Sequence, residues 1–199
     1  MARELELKAV IPDPVVLRMR LQAAGAEERF RGTMRDLRFD RDGELTARSE
    51  VLRLRTFYRA AERTAAVLGW KGPPRVSPEG YKQREEIELP IAAGGGDPEA
   101  WLRALGYRVV HTIDRWVEVF DLDGTVLRLE GYPRMDVLLE VEDDPPAIER
   151  AIAASGLPRA AFSADALAAF VGRYEARTGE AALLAAGDQG MRPPAWAGR

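Results

Sequence analysis

The stretch Glu4-Leu5-Glu6-Leu7-Lys8, inside Arg3–Val10, constrains the fold of this chain more than any other. Read with the two-residue period of a strand, Glu4, Glu6 and Lys8 share one face, and Leu5, Leu7 and Ala9 share the other. One such strand reads most simply as half-buried with its charges in water, because charged side chains are rarely buried unless paired. The device recurs, however. Glu86 and Glu88 alternate with Ile87 and Leu89, Glu140 and Glu142 with Leu139 and Val141, and Arg53 and Arg55 with Leu52, Leu54 and Thr56. Several strands that are charged on one face and apolar on the other fit a sheet rolled around a polar interior. That is the inverse of an ordinary core.

Turn and cap signals divide the rest. Asp13-Pro14 opens a helix of about ten residues that Gly25 ends. Residues 28–41 read as extended, and residues 50–59 and 62–71 as a hairpin turning at Ala60-Ala61. After a Gly-Pro loop comes a strand over 81–90, then the Gly94-Gly95-Gly96 linker and a helix over 98–105 capped by Asp97. Residues 107–121 and 125–132 pair across Asp121-Leu122-Asp123-Gly124, and residues 136–143 form the last strand. A helix starts at Pro145, and Ser163 is expected to cap another over 164–178. Past Gly179 the composition drifts to Ala, Gly and Pro, which predicts a domain over 1–179 and a loosely ordered tail over 180–199. About eight strands with short connections predict an α+β protein, an eight-stranded antiparallel β-barrel with helices packed outside.

Composition removes several classes of function. A net charge of −3 over 199 residues supplies no basic field for nucleic acid or an anionic membrane. The absence of cysteine excludes disulfides, thiolate metal sites and a Cys nucleophile, and His111 is the sole histidine, best read as a surface or hydrogen-bonding residue. No apolar run reaches the roughly 18 to 20 residues that span a bilayer, so the expected location is the cytoplasm. The chain is expected to act as a monomer or homodimer on a small molecule.

The inner faces would carry acids at Glu4, Glu6, Glu86, Glu88, Glu130, Glu140 and Glu142, and cations at Lys8, Arg53, Arg55, Lys71, Arg84, Arg115 and Arg128. Carboxylates without His or Cys are hard oxygen ligands suited to Mg²⁺ or Mn²⁺ rather than zinc. Arginine offers bidentate donors to phosphate oxygens and lysine a point charge. Burying so many charges for structure alone would cost several kcal/mol per ion. A polyanion shared between cations and metal, such as a phosphate chain, answers the pattern. With no histidine dyad and no base beside a serine, the nucleophile is water or a hydroxyl of the substrate.

In this order the motifs resemble the CYTH superfamily, the triphosphate tunnel metalloenzymes, which covers class IV adenylyl cyclases, thiamine triphosphatases and inorganic triphosphatases. Glu4-Leu5-Glu6-Leu7-Lys8 fits its ExExK signature, Leu52-Arg53-Leu54-Arg55 its L-R-x-R, Trp70-Lys71-Gly72-Pro73 its x-K-G-P, and Arg84-x-Glu86-x-Glu88 its R-x-E-x-E. Asp36-Leu37-Arg38-Phe39-Asp40 resembles D-x-Y-F-D with Arg38 in place of an aromatic, and Glu130 precedes the closing Glu140-Val141-Glu142 where Asp is usual. The resemblance implies a tunnel open at both ends. Glu4, Glu6, Glu140 and Glu142 would hold Mg²⁺ or Mn²⁺ with Glu130 close by. Lys8, Arg53, Arg55, Lys71, Arg84 and Arg115 would hold a triphosphate, and Glu4, Glu6, Lys8 and Glu130 would serve catalysis. Arg38, Asp40, Glu86 and Glu88 are further tunnel candidates. Two positions depart from the pattern: Ile113 replaces a lysine of K-x-R, for which Arg128 would compensate, and Asp136 replaces a glycine. Hydrolysis of a triphosphate needs only the cradle, whereas a cyclase, the alternative, also needs a purine pocket. A binding module without catalysis is the third reading.

Overall fold

The computed structural model describes residues 2–92, 96–187 and 190–198, with side chains from Leu5 onward. Its strands are β1 (Ala2–Val10), β2 (Glu27–Asp40), β3 (Val51–Arg59), β4 (Glu62–Lys71), β5 (Arg75–Val76), β6 (Lys82–Ile91), β7 (Arg108–Leu122), β8 (Thr125–Gly131) and β9 (Leu138–Glu142). The helices are α1 (Pro14–Ala23), α2 (Glu44–Ala47), α3 (Pro98–Ala104), α4 (Pro145–Ser155) and α5 (Leu167–Thr178), with a 3₁₀ turn at Arg159–Ala161. The sheet runs β1-β9-β8-β7-β2-β3-β4-β6, and an antiparallel pairing of β6 with β1 closes it. The two-residue β5 is an addition on β6. The result is the expected closed eight-stranded antiparallel barrel with helices outside.

Local chemistry explains the turns. Asp13 accepts hydrogen bonds from the Val15 and Val16 amides, and Pro14 fills the first position of α1. Ala60 and Ala61 both adopt positive φ, as do Asp123 and Gly124, which is the twist a two-residue hairpin requires. The α2 turn was not foreseen, and the Gly94-Gly95 part of the linker lies outside the described residues.

The apolar core lies outside the barrel wall. Leu7 and Ala9 of β1, Leu127 and Leu129 of β8, and Leu139 and Val141 of β9 are buried against Leu17 and Leu21 of α1 and Ile148 and Ile152 of α4. Each of these strand residues alternates with a charged neighbour, so the period of two sends apolar atoms to the helices and charge to the lumen. A smaller cluster seats Leu102 of α3 on Phe39, Leu54 and Ala66. A third, formed by Ile113, Tyr132 and Leu138 with Phe170 of α5, closes one end of the interior.

Two expectations about the C-terminal part need correction. Ser163 does not cap α5: its backbone exchanges hydrogen bonds with Lys8 at 2.9 and 2.8 Å, and its hydroxyl donates to Asp165. Helix α5 begins at Leu167, and no side chain caps it. In place of a loose tail, the described residues after Gly179 are tied to the barrel. Leu183 and Arg134 exchange backbone hydrogen bonds, the Asp114 amide donates to the Leu184 carbonyl at 2.7 Å, and Trp196 lies so close over Gly131 that a Cβ there would sit 2.8 Å from its ring. Arg18 and Arg31 donate to the Trp196 and Ala197 carbonyls. Composition could not show this, because the anchors are mostly backbone atoms. Removing residues 181–199 is therefore expected to lower the melting temperature by on the order of 10 °C, from several kcal/mol of lost burial and hydrogen bonding. A thermal melt of the truncated protein that overlays the full-length curve would refute the anchoring.

Candidate active site

The inner faces meet in a chamber of about 180 Å³. Its walls carry nine cationic side chains against four carboxylates, inside a molecule whose net charge is −3. Of the residues expected to share one site, Glu6, Lys8, Arg38, Arg53, Arg55, Lys71, Arg84, Arg115, Arg128, Glu130 and Glu140 all line it. Glu86, Glu88 and Glu142 line an adjoining space of about 120 Å³, which shares Arg53, Arg55, Lys71 and Arg128 with the first. The lumen is therefore basic in one part and more acidic in the other. The backbone of Glu4 pairs with that of Arg84, on the strand face of Glu6, and its side chain lies outside the described residues.

Register explains why these residues converge. Lys8 stands opposite Glu140, Arg53 opposite Arg38, Arg55 opposite Asp36, and Lys71 opposite Glu86, and directly opposed residues of an antiparallel pair point the same way. Lys8 lies 2.7 Å from Glu6 and 2.5 Å from Glu140, while Lys82 also contacts Glu6 and Arg128 contacts Glu140. Burial pushes the Glu6 carboxyl up, but Lys8 and Lys82 outweigh it and hold the group at about 2. Glu140 is driven well below the carboxylate range in the same way, by Lys8 and Arg128 against its burial. Both stay ionised at neutral pH.

Asp36 is the hub on the opposite wall. Arg55 clamps it at 2.9 and 3.1 Å, Arg115 donates to it at 2.7 Å, and Arg53 is 3.8 Å away. Arg115 also reaches Glu130 at 3.0 Å, and the Tyr132 hydroxyl donates to the same carboxylate at 2.6 Å. Arg84 donates to the carbonyls of Gly72 and Ser49, which fixes its guanidinium at the rim.

Sequence reasoning left Lys82, Asp36 and Tyr132 out of the site. The signal was present, since each lies two residues along a strand from a recognised inner residue. Asp40 lines the outer mouth beside Arg38 and Arg84 rather than the inner chamber. Its carboxylate accepts the amides of Arg41, Leu45 and Thr46 and the Thr46 hydroxyl, so it builds the α2 turn at the mouth. Ile113 packs with Phe170 and Leu138 rather than lining the chamber. Asp136 pairs with Arg177 of α5 at 2.5 Å. Tyr81 is buried with its hydroxyl on Glu149, Trp116 lies on an outer groove beside Arg35 and Tyr58, and His111 is exposed.

The backbone is similar to several solved structures. A protein from Vibrio parahaemolyticus named "putative adenylate cyclase" superposes with a TM-score of 0.66 at 18% identity, over 85% of this chain and 97% of its own. A Hippeastrum "putative adenylyl cyclase", described as having a dominant triphosphatase activity, gives 0.59 at 21% identity over 90% and 97%. A conserved hypothetical protein of Pyrococcus furiosus gives 0.65 at 19% identity over 84% and 99%. What they share is the fold, a closed antiparallel barrel. No family model and no curated protein sequence matches the chain, and at these identities the likeness establishes architecture alone.

Whether a metal fits the lumen is a question of donors. Among the described residues no three Asp, Glu, His or Cys side chains are grouped closely enough to hold an ion. Glu6 and Glu140, both gripped by Lys8 and both ionised, are the nearest approach to a pair of hard oxygen ligands. Among the described residues no helix is long and apolar enough to cross a membrane.

Proposed function

We propose that this chain is a divalent-metal-dependent phosphohydrolase that binds a triphosphate, inorganic or organic, within its barrel. The observation that carries this reading is the reversed charge of the interior: an excess of five cations lines one chamber of an acidic protein. A fully ionised phosphate chain neutralises such a surface, and charge-assisted donors in a water-poor cleft act strongly on it. The fold of the Hippeastrum protein, described by its triphosphatase activity, supports the same reading.

The residues divide by chemistry. Arg53, Arg55, Arg115 and Arg128 would cradle the equatorial oxygens, and Lys8 and Lys82 would place point charges along the chain. Glu6 and Glu140, with Glu4 and Glu142 on the same two strands and Glu130 beside Arg115, would hold Mg²⁺ or Mn²⁺. Such an ion, when bound, neutralises phosphoryl oxygens and makes a nearby water more acidic. Carboxyls held as low as Glu6 and Glu140 are weak bases, which suits them to binding cations rather than taking a proton. In the reaction, a water oxygen bonds to a terminal phosphorus, the bridging P–O bond breaks toward the remaining phosphates, and the proton of the water leaves to solvent or phosphate. Arginine donors stabilise the charge that collects on the leaving oxygen.

Phosphorus NMR of tripolyphosphate and ATP digests, with Mg²⁺ or Mn²⁺, tests this directly. Orthophosphate is the expected product. Cyclic AMP with pyrophosphate would establish a cyclase instead, and absence of turnover with either ion would leave a binding module.

A further inference from the structure

The described charged side chains around it grip one another across the lumen, but Arg38 does not. Among the described residues it makes no ion pair or hydrogen bond, and its Nε is buried with no partner. Burial and the neighbouring Arg115, Arg53 and Arg84 pull its guanidinium down to about 10, and Asp36 opposes them. Charge left uncompensated in this way costs folding energy and marks a place prepared for an anion. Its position is equally specific. Arg38 and Arg84 line both the basic chamber and the outer mouth beyond it, a space of about 310 Å³, so they stand at the neck between the two. The uncapped first turn of α5 stands at the same neck: Ala166 lines both spaces and Leu167 the chamber.

We propose that Arg38 is a specificity-determining residue: it takes the outermost phosphoryl group at the neck and favours an unesterified one. The preferred substrate is then an inorganic phosphate chain of three or more units rather than a nucleoside triphosphate. This rests on the triphosphate reading of the chamber. An unesterified terminal phosphoryl brings two negative charges and three free oxygens to the guanidinium, whereas the esterified phosphate of a nucleotide brings one charge and two. A nucleotide cannot readily turn round. The opposite space is about 120 Å³ and lined by Glu86, Glu88 and Glu142, so a nucleoside fits the wider mouth and puts its esterified phosphate at Arg38.

The test compares wild type with Arg38→Gln and Arg38→Lys. Two quantities are read: the ratio of kcat/KM for tripolyphosphate to that for ATP, and the melting temperature with and without tripolyphosphate in metal-free buffer. Arg38→Gln is expected to lower the ratio about ten- to a hundredfold, with Arg38→Lys recovering part of it. The substrate-free Gln variant should melt above wild type, because an unpaired, half-buried charge is gone, yet gain less from tripolyphosphate. A purely structural arginine would instead lower the melting temperature when removed. Equal losses on both substrates, a destabilised Gln variant, or a wild type that tripolyphosphate does not stabilise would each overturn the assignment. If the products contradict hydrolysis while the tripolyphosphate stabilisation still depends on Arg38, the binding role stands and the reaction assignment alone fails.

Discussion

Asp36→Asn is expected to cost about 3–5 kcal/mol of folding stability, since it strips the shared carboxylate from three buried arginines at once. The side chain keeps its shape, so the loss reports charge rather than packing. The same residue predicts an acid limb. Burial raises the Asp36 carboxyl, but Arg55, Arg115 and Arg53 outweigh it and hold it well below 3.8. A group whose folded value is depressed stabilises fully above its unfolded value and loses that contribution as pH falls toward the folded one. Wild-type stability should therefore fall below about pH 4, and the Asn variant should fall less steeply over the same range. Denaturant midpoints at pH 7 and pH 3 measure both effects. An Asn variant within about 1 kcal/mol of wild type at pH 7 would show that the arginines are satisfied by other means.

Glu140→Gln is expected to reduce metal-dependent turnover of tripolyphosphate by at least about a hundredfold. Glu140 is in contact with both Lys8 and Arg128, and Lys8 bridges it to Glu6. Its neutral amide cannot serve as a charged ligand. Binding should move the other way: in metal-free buffer the Gln variant should hold tripolyphosphate at least as tightly as wild type, because an anion facing the substrate is gone. Calorimetry without metal and a phosphate-release assay with Mg²⁺ or Mn²⁺ separate the two effects. A variant with wild-type metal dependence would remove Glu140 from the proposed metal set.

Much of this architecture was legible because strand periodicity is an unusually direct code. Glu6 and Lys8, Arg53 and Arg55, Glu140 and Glu142 each declared an inner face, and the barrel follows from requiring those faces to meet. Lys82 and Tyr132 obey the same period and were missed for want of a motif around them. What the period could not encode is end effects. Ile113 has the parity of an inner residue, but it sits where α5 caps the interior, so its neighbours are Phe170 and Leu138 rather than charge. Asp40, at the last residue of its strand, lines the mouth but gives its carboxylate to the α2 turn. The tail was opaque for another reason: backbone carbonyls at Leu184, Trp196 and Ala197 carry its attachment, and these look alike in every sequence.

The closing of the sheet by β1 has a kinetic consequence. One edge of this strand pairs with β6 and the other with β9, so residues near position 6 must find partners near 82 and near 142. Contacts that distant are slow to form, because the loop they close must be ordered before it is rewarded. During synthesis the first strand leaves the ribosome first and then waits for the last. Its alternating glutamates and lysine keep that waiting segment in water and discourage it from pairing with another copy of itself. The strand that brings Glu6 and Lys8 is thus the one whose docking completes the ring. A partly folded chain has no such chamber, so a polyanion bound as proposed would report that the seam has shut.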